Sequence, residues 1–157
     1  MDLRQATPAD RDAINTVISA AVMTWSLPER VKRLAVPTYH YSDIDLRDMR
    51  LFVMRDAGEI VGVAALETLA PPENCPSGRH TELLHGLYVR PDRQHQGIGT
   101  QLWQAARAHA QTGGACGLLV RAQADSVGFF SAMGMQEQAT IDARRDYPHQ
   151  FWLPLNP

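Results

Sequence analysis

No run of apolar residues in this sequence approaches the roughly 20 that a membrane-spanning helix needs. The first residues, Met1-Asp2-Leu3-Arg4-Gln5, also lack the apolar core of a secretory signal. Neither sign of charge is in large excess: 15 Lys and Arg oppose 17 Asp and Glu, a net of −2. No overall basic field therefore exists to hold nucleic acid irrespective of sequence, and neither nucleic acid nor a membrane is expected as a partner. Lysine is nearly missing, with Lys32 alone representing it, which we read as coding bias. Cysteine is scarce as well. Cys75 and Cys116 have no CxxC spacing, cannot make a metal cluster alone, and read as plain thiols of a reducing, cytoplasmic setting. Internal repeats, low-complexity tracts and interdomain linkers are absent. What remains is ordinary globular composition, 45% hydrophobic and 20% charged over 157 residues. That length suits a single domain, 1–157, able to bury about 70% of its unfolded surface.

The element pattern is mixed α and β. Asp2–Gln5 reads as a short strand. Thr7-Pro8-Ala9-Asp10 reads as a helix start, with Thr7 able to cap, Pro8 suited to the first helical position and Asp10 adding negative charge. Ile14, Val17, Ile18, Ala21, Val22 and Trp25 follow at helical spacing. Glu29–Leu34 predicts another short helix, then a loop. Leu51–Met54 and Ile60–Leu66 flank Arg55-Asp56-Ala57-Gly58-Glu59 and predict a β-hairpin. Ala70–His80, holding Pro71, Pro72, Pro76 and Gly78, reads as a surface loop. Leu83–Val89 is a strand and Gly97–Gln111 a helix stopped by Gly113-Gly114. Ala115–Val120 is a further strand, which completes a βαβ unit with parallel strands. Asp125 is expected to cap a short helix through Met133, and Met135–Leu155 to return as two strands.

Chemistry concentrates in Val89-Arg90-Pro91-Asp92-Arg93-Gln94-His95-Gln96-Gly97-Ile98-Gly99-Thr100. Glycines where a strand turns into a helix leave the first helical N–H groups pointing outward, at the positive end of the helix dipole. Such a turn suits a phosphate or pyrophosphate, and Arg90 and Arg93 could add positive charge nearby. A Walker loop is excluded, because Thr100-Gln101 follows Gly99 where Lys-Ser/Thr is required. The dinucleotide fingerprint is excluded too, because Leu102 stands at its third glycine.

The pattern that does match is Gln94-x-x-Gly97-x-Gly99 after Val89-x-Pro91, and it resembles the acyl-CoA site of the GNAT superfamily of N-acyltransferases. Phe129-Phe130-Ser131-Ala132-Met133-Gly134-Met135 resembles that family's second signature, Phe-Tyr-x-x-x-Gly-Phe. The resemblance covers nearly the whole chain in element order. It implies an α/β fold: a single-domain mixed β-sheet flanked by helices, with splayed parallel strands forming the acyl-CoA cleft. It further implies transfer of acetyl from acetyl-CoA to a primary amine by direct attack in a ternary complex, with no metal. The backbone of Leu87, Tyr88 and Val89 would pair with the pantetheine arm. Gln94 and the amides of His95, Gln96, Gly97, Ile98, Gly99 and Thr100 would hold the pyrophosphate. The helix containing Phe129 would flank the pantetheine, with Gln123 and Ser126 ahead of it. Family dimers also allow a homodimer.

Two departures matter. Many relatives carry Asn seven residues before a Tyr in the later motif, where this chain has Gln123 and Phe130. Glutamine still donates and accepts hydrogen bonds, but phenylalanine cannot protonate a leaving thiolate. Tyr88, Tyr147, Ser126 or water would have to substitute. His85 resembles one of the strand histidines of arylalkylamine N-acetyltransferases and is the candidate base, since histidine commonly exchanges protons near neutral pH; the alternative is a hydrogen-bonded, half-buried strand histidine. It alternates in phase with Leu87 and Val89, while Glu82 should face the other way. On the acceptor side, Trp25 to Met49 holds Trp25, Tyr39, His40, Tyr41, Asp43, Asp45 and Asp48. That stretch could hold a cationic amine, although its acids more often pair with Arg30, Lys32, Arg33 and Arg47 on a solvated face. Small-molecule and protein amines both stay open as acceptors. A non-catalytic acyl-CoA-binding sensor module is the alternative function.

Overall fold

A computed structural model describes residues 1–69, 79–139 and 149–155. The elements run β1 (Asp2–Gln5), α1 (Arg11–Val22), α2 (Glu29–Tyr39), α3 (Asp43–Asp48), β2 (Arg50–Asp56), β3 (Glu59–Leu69) and β4 (Thr81–Val89). They continue with α4 (Ile98–Thr112), β5 (Gly117–Ala122), α5 (Val127–Ala132), β6 (Gln136–Gln138) and β7 (His149–Pro154). The seven strands form one mixed sheet in the order β1-β2-β3-β4-β5-β7-β6. Helices flank it, as the α/β expectation required. The chain divides into two compact units, Met1–Leu66 with Gly86–Ala106 and Glu67–His85 with Arg107–Pro157.

In the first unit, β1, β2 and β3 form an antiparallel meander, with Leu3 opposite Met54 and Val53 opposite Val63. The β2–β3 turn places Ala57 at φ 51° and Gly58 at φ 80°, the paired left-handed geometry that two-residue hairpins favour. One face of α1 (Ile14, Val17, Ile18, Ala21, Val22) is buried with Leu51, Val53, Val63 and Ala65, and Tyr41, Leu46 and Tyr88 join that core. Each fully buried aliphatic side chain of this group stabilises the fold by about 1.5–3 kcal/mol. A 3₁₀ turn, Pro8–Asp10, leads into α1, with Pro8 at its first position as the sequence suggested. Asp10 does more than add charge: its carboxylate accepts from the Thr7 N–H at 2.8 Å and from Arg4 Nη1 and Nη2 at 2.8 and 2.9 Å.

The second unit holds the start of β4 beside β5 in parallel register, from Thr81 opposite Gly117 to Leu84 opposite Val120. That ladder ends after four residue pairs, although β4 runs on to Val89 and β5 to Ala122. On its other side β5 pairs antiparallel with β7, and β7 with β6. Phe130 of α5 is buried against Phe151 of β7, ring centroids 5.8 Å apart.

Several expectations need correction. The segment after Glu29–Leu34 is not a loop: α2 continues to Tyr39 with Pro37 inside it, and α3 follows. The cause of α3 is local. Ser42 Oγ accepts from the Asp45 N–H, and the Asp45 carboxylate accepts from the Ser42 N–H, a reciprocal cap. Trp25 lies beyond the end of α1 and packs edge-on against Tyr39, centroids 5.0 Å apart. Asp125 does not cap α5; it sits within a 3₁₀ turn, Ala124–Ser126, that follows Gln123. Cys116 is not a plain thiol but disulfide-bonded. The only other cysteine in the sequence, Cys75, lies outside the described residues, so the reducing-cytoplasm reading loses its thiol argument. Tyr147 and most of Ala70–His80 also lie outside the described residues.

The Arg4 pairing holds the Asp10 carboxyl down to about 2, chiefly through the guanidinium hydrogen bond. A depressed folded-state value stabilises the protein above the ordinary carboxylate range and loses that effect as pH falls towards 2. Asp10→Asn should cost about 1–2 kcal/mol at pH 7. In thermal melts that is a deficit of about 3–6 °C, which should shrink steadily between pH 5 and pH 2. A deficit that stays constant over that range would show that the pair contributes nothing through charge.

Candidate functional site

The turn between β4 and α4 lies wholly in the first unit. Arg90 N–H ties the end of β4 to Val61 O at 2.9 Å. A 3₁₀ turn, Pro91–Arg93, follows, with Pro91 at its first position, and Gln94 N–H bonds weakly back to Pro91 O at 3.5 Å. His95 then adopts φ 62° and Gly97 φ 80°. A left-handed backbone costs a non-glycine residue about 1–2 kcal/mol, so His95 is held there by its surroundings. A Cβ at Gly97 would meet nothing within 4 Å, which leaves open space over the turn. Gln101 N–H makes the first backbone bond of α4, to Gly97 O at 3.1 Å. The amides of Gly97, Ile98, Gly99 and Thr100 precede it and have no carbonyl of α4 to bond. α4 runs 15 residues, long enough for a full dipole at this end. Ile98 and Leu102 anchor that end beneath the sheet, because a side chain at Gly62 would come within 2.8 Å of each.

The two arginines do not stand free beside this turn. Arg93 Nη2 donates to Asp56 Oδ2 at 2.6 Å and Arg93 Nε to Gln96 Oε1 at 3.1 Å. Arg90 holds Asp92 at 2.6 and 3.1 Å and Glu59 at 3.1 Å. The hydrogen bond from Arg93 holds the Asp56 carboxyl below the usual carboxylate range, and that from Arg90 does the same for Asp92. The turn therefore offers an anion its amides and a helix dipole, while the nearby guanidinium charges are offset by carboxylates.

Along β4, His85 is exposed, Leu87 and Val89 are half-buried and Tyr88 is buried. This fits the alternation read from sequence. Glu82 is buried on the opposite phase, accepts from Thr68 Oγ1 at 2.9 Å and lies 3.3 Å from His80 Nε2. Sequence reasoning missed the role of Gly86. A Cβ there would fall 2.6 Å from the Tyr41 hydroxyl and 2.5 Å from the Tyr88 ring, so glycine is what leaves room for both groups against the strand backbone. Asn15 fixes Tyr41 from both sides, its amide donating to Tyr41 O and its carbonyl accepting from Tyr41 N–H, both at 2.9 Å. Ser19 Oγ and His40 Nε2 lie 2.7 Å apart next to this clamp. The acids and bases of the surrounding segment pair locally, Lys32 and Arg33 with Glu29, Arg47 with Asp48 and Arg11 with Asp43. Of the aromatics there, Tyr41 alone is buried.

In the second unit, Gln123 and Ser126 bracket the 3₁₀ turn after β5, with Ser126 N–H bonded to Gln123 O at 2.9 Å. Phe129 is half-buried and meets Phe130 edge-on at 5.2 Å. Gly134, at φ 84°, ends α5. Phe130 is thus a core side chain. Among the described residues no group of three His, Cys, Asp or Glu could hold a metal ion.

The sequence profile of the Acetyltransferase (GNAT) family matches residues 19–135. No curated protein sequence matches the chain. Similar solved structures include the PaiA N-acetyltransferase of Thermoplasma acidophilum in complex with coenzyme A, 15% identical with a TM-score of 0.79 over 98% of each chain. A GNAT family acetyltransferase from Brucella melitensis, in complex with acetyl-CoA, is 18% identical with a TM-score of 0.67 over 99% of this chain and 88% of that one. Ribosomal-protein-alanine N-acetyltransferase from the same organism is 18% identical with a TM-score of 0.68 over 99% of this chain and 100% of that one. At these identities the likeness is one of fold.

Gly86→Ala should overpack this strand and cost about 1–3 kcal/mol. Adding Tyr41→Phe, which removes the hydroxyl but keeps the ring, should recover part of that loss in denaturant melts. A Gly86→Ala protein as stable as wild type would show that the strand yields at this point.

Proposed function

The chain belongs to the GNAT acetyltransferase family, and on that premise we propose that it transfers acetyl from acetyl-CoA to a primary amine. One observation carries the donor half: the turn at residues 94–100, with left-handed residues at 95 and 97 and open space above Gly97, leads into a long helix. The pyrophosphate would rest on the amides of His95, Gln96, Gly97, Ile98, Gly99 and Thr100, with Gln94 beside them. The pantetheine amides would pair with the backbone of Leu87, Tyr88 and Val89, which lie beyond the β4–β5 ladder. Gln123, Ser126 and Phe129 are carried over from the family pattern as further contacts.

The acceptor must lose a proton before it attacks. An alkyl ammonium has a pKa of about 10, so at pH 7 roughly one molecule in a thousand is nucleophilic. His85, exposed on β4, would take that proton directly or through water. The amine nitrogen then bonds to the thioester carbon, the C–S bond breaks with its electron pair leaving on sulfur, and the nitrogen sheds its second proton to water. Tyr88 is the candidate proton donor to that sulfur. Both a small-molecule amine and a protein amine fit this scheme. A second reading, an acyl-CoA sensor without turnover, draws on Phe130, a buried ring where many relatives carry tyrosine.

Isothermal titration decides the donor half. Acetyl-CoA and desulfo-CoA should bind in the micromolar range, and pyrophosphate at least about tenfold more weakly. Binding by none of them would remove the donor assignment. With binding established, a panel of amines followed by thiol release separates enzyme from sensor. For an accepted amine, His85→Gln should lower kcat/KM at pH 7 by about 10²–10⁴. The deficit should narrow towards pH 10, where the amine is neutral without help. A deficit independent of pH would remove His85 as the base.

A further inference from the structure

We infer that Arg93, anchored by Asp56 on the β2–β3 hairpin, is a positioning residue that braces the turn at residues 94–97 and is not itself an anion ligand. The inference rests on the donor site proposed above. Three observations carry it. The first is that Arg93 spans the strained residue. Its Nε bonds the side chain of Gln96, so the arginine closes a bridge over Gln94 and His95, and His95 is the non-glycine residue at φ 62°. The second is that the far end of the bridge is fixed to a rigid point. Asp56 is the last residue of β2, directly opposite Glu59 across a tight turn, and its carboxylate also lies 3.9 Å from the Met1 amino group. The Arg93 side chain is only 20% exposed. The third is that Arg90 repeats the arrangement one turn earlier, bonding Glu59 on the other arm of the same hairpin. Two carboxylates of one hairpin thus hold two arginines of one turn.

A guanidinium bonded to a carboxylate at 2.6 Å is a charge-assisted contact, about twice as strong as a neutral hydrogen bond. To serve as a ligand, Arg93 would have to give up that contact and the one to Gln96. As a brace it keeps both, and the anion meets amides already aimed at it. The planar fork of arginine can reach two acceptors at once; the single ammonium of lysine cannot hold both in fixed directions.

The two roles predict opposite signs for Asp56→Asn. If Arg93 braces the turn, loosening its anchor should weaken acetyl-CoA binding, by about three- to tenfold. If Arg93 is a ligand held back by Asp56, releasing it should tighten binding. Titrations of wild type, Asp56→Asn, Arg93→Gln, Arg93→Lys and the Asp56→Asn/Arg93→Gln double variant give the answer. The brace requires weaker binding in every variant, a double no worse than Arg93→Gln alone, and kcat at saturating acetyl-CoA within twofold of wild type. Tighter or unchanged binding in Asp56→Asn overturns it. Arg55→Gln, which breaks the pair between Arg55 of the same hairpin and Asp2 of β1, should leave binding unchanged and controls for general loosening. NMR relaxation on the free proteins tests the brace without any ligand. Backbone order parameters at Gln94–Gly97 should fall from about 0.85 to below about 0.6 in Arg93→Gln. Unaltered order there overturns the inference, whereas wild type that is ordered but binds no acetyl-CoA overturns only the donor assignment.

Discussion

The first unit is organised around a backbone that turns from strand to helix with the first amides of α4 beyond reach of any α4 carbonyl. Two left-handed residues in three, His95 and Gly97, achieve this. Such a segment gains little from its own hydrogen bonding: the weak Gln94 contact at 3.5 Å is its backbone tie to the preceding 3₁₀ turn. It depends on its flanks. On one side β4 is sewn to β3 through Arg90 N–H and Val61 O; on the other, Ile98 and Leu102 seat α4 over Gly62. Any side chain at 62 would lift the helix and take the amides with it. Packing beneath the turn, against Gly62 of β3, therefore sets the direction in which its donors point.

The same economy of space governs the opposite face of β4. Gly86 leaves a gap that the Tyr41 hydroxyl and the Tyr88 ring fill together. Tyr41 reaches it because Asn15 on α1 grips its main chain from both sides, and because the Ser42–Asp45 cap starts α3 immediately afterwards. A short helical segment that sequence periodicity could not distinguish from a loop is thus a device for delivering one tyrosine. The acids around it pair with neighbouring arginines and lysine at the surface. Pairs of that kind contribute little to stability and leave the aromatic and hydroxyl groups as the distinctive chemistry of this segment.

The strand–turn–helix at 83–111 was legible because its signals are local: an apolar run, paired glycines and a 3.6-residue period all fall within thirty residues. The hairpin was legible for the same reason. The features that escaped depend on partners distant in sequence. Arg93 looked like free positive charge because Asp56 is 37 residues away, and only the strand register brings it back. Gly86 carries no signal in the sequence because Tyr41, the partner that gives it a role, lies 45 positions before it. Cys116 read as a thiol because CxxC spacing was the test, and a disulfide needs no such spacing. Ser42-Asp43-Ile44-Asp45 did carry a readable cap; it was hidden by the run of charges around it. The Asp125 expectation failed differently, because a 3₁₀ turn took the residues that a cap would have used.

Phe130 raises the question of how much acid catalysis the proposed transfer needs. Its ring is buried in the core against Phe129 and Phe151, and phenylalanine carries no hydroxyl there. The leaving group is a thiolate with an ordinary pKa of about 8.5, which departs near neutral pH without full protonation. The acceptor faces a steeper demand, since about three pKa units separate an alkyl ammonium from neutral pH, some 4 kcal/mol. Proton removal from the amine is therefore the larger electrostatic problem for this chain. If His85 is the base, an imidazole on β4 would be worth more to the proposed transfer than a phenol on α5. Phenylalanine at 130 together with histidine at 85 is, on these magnitudes, compatible with the proposed turnover.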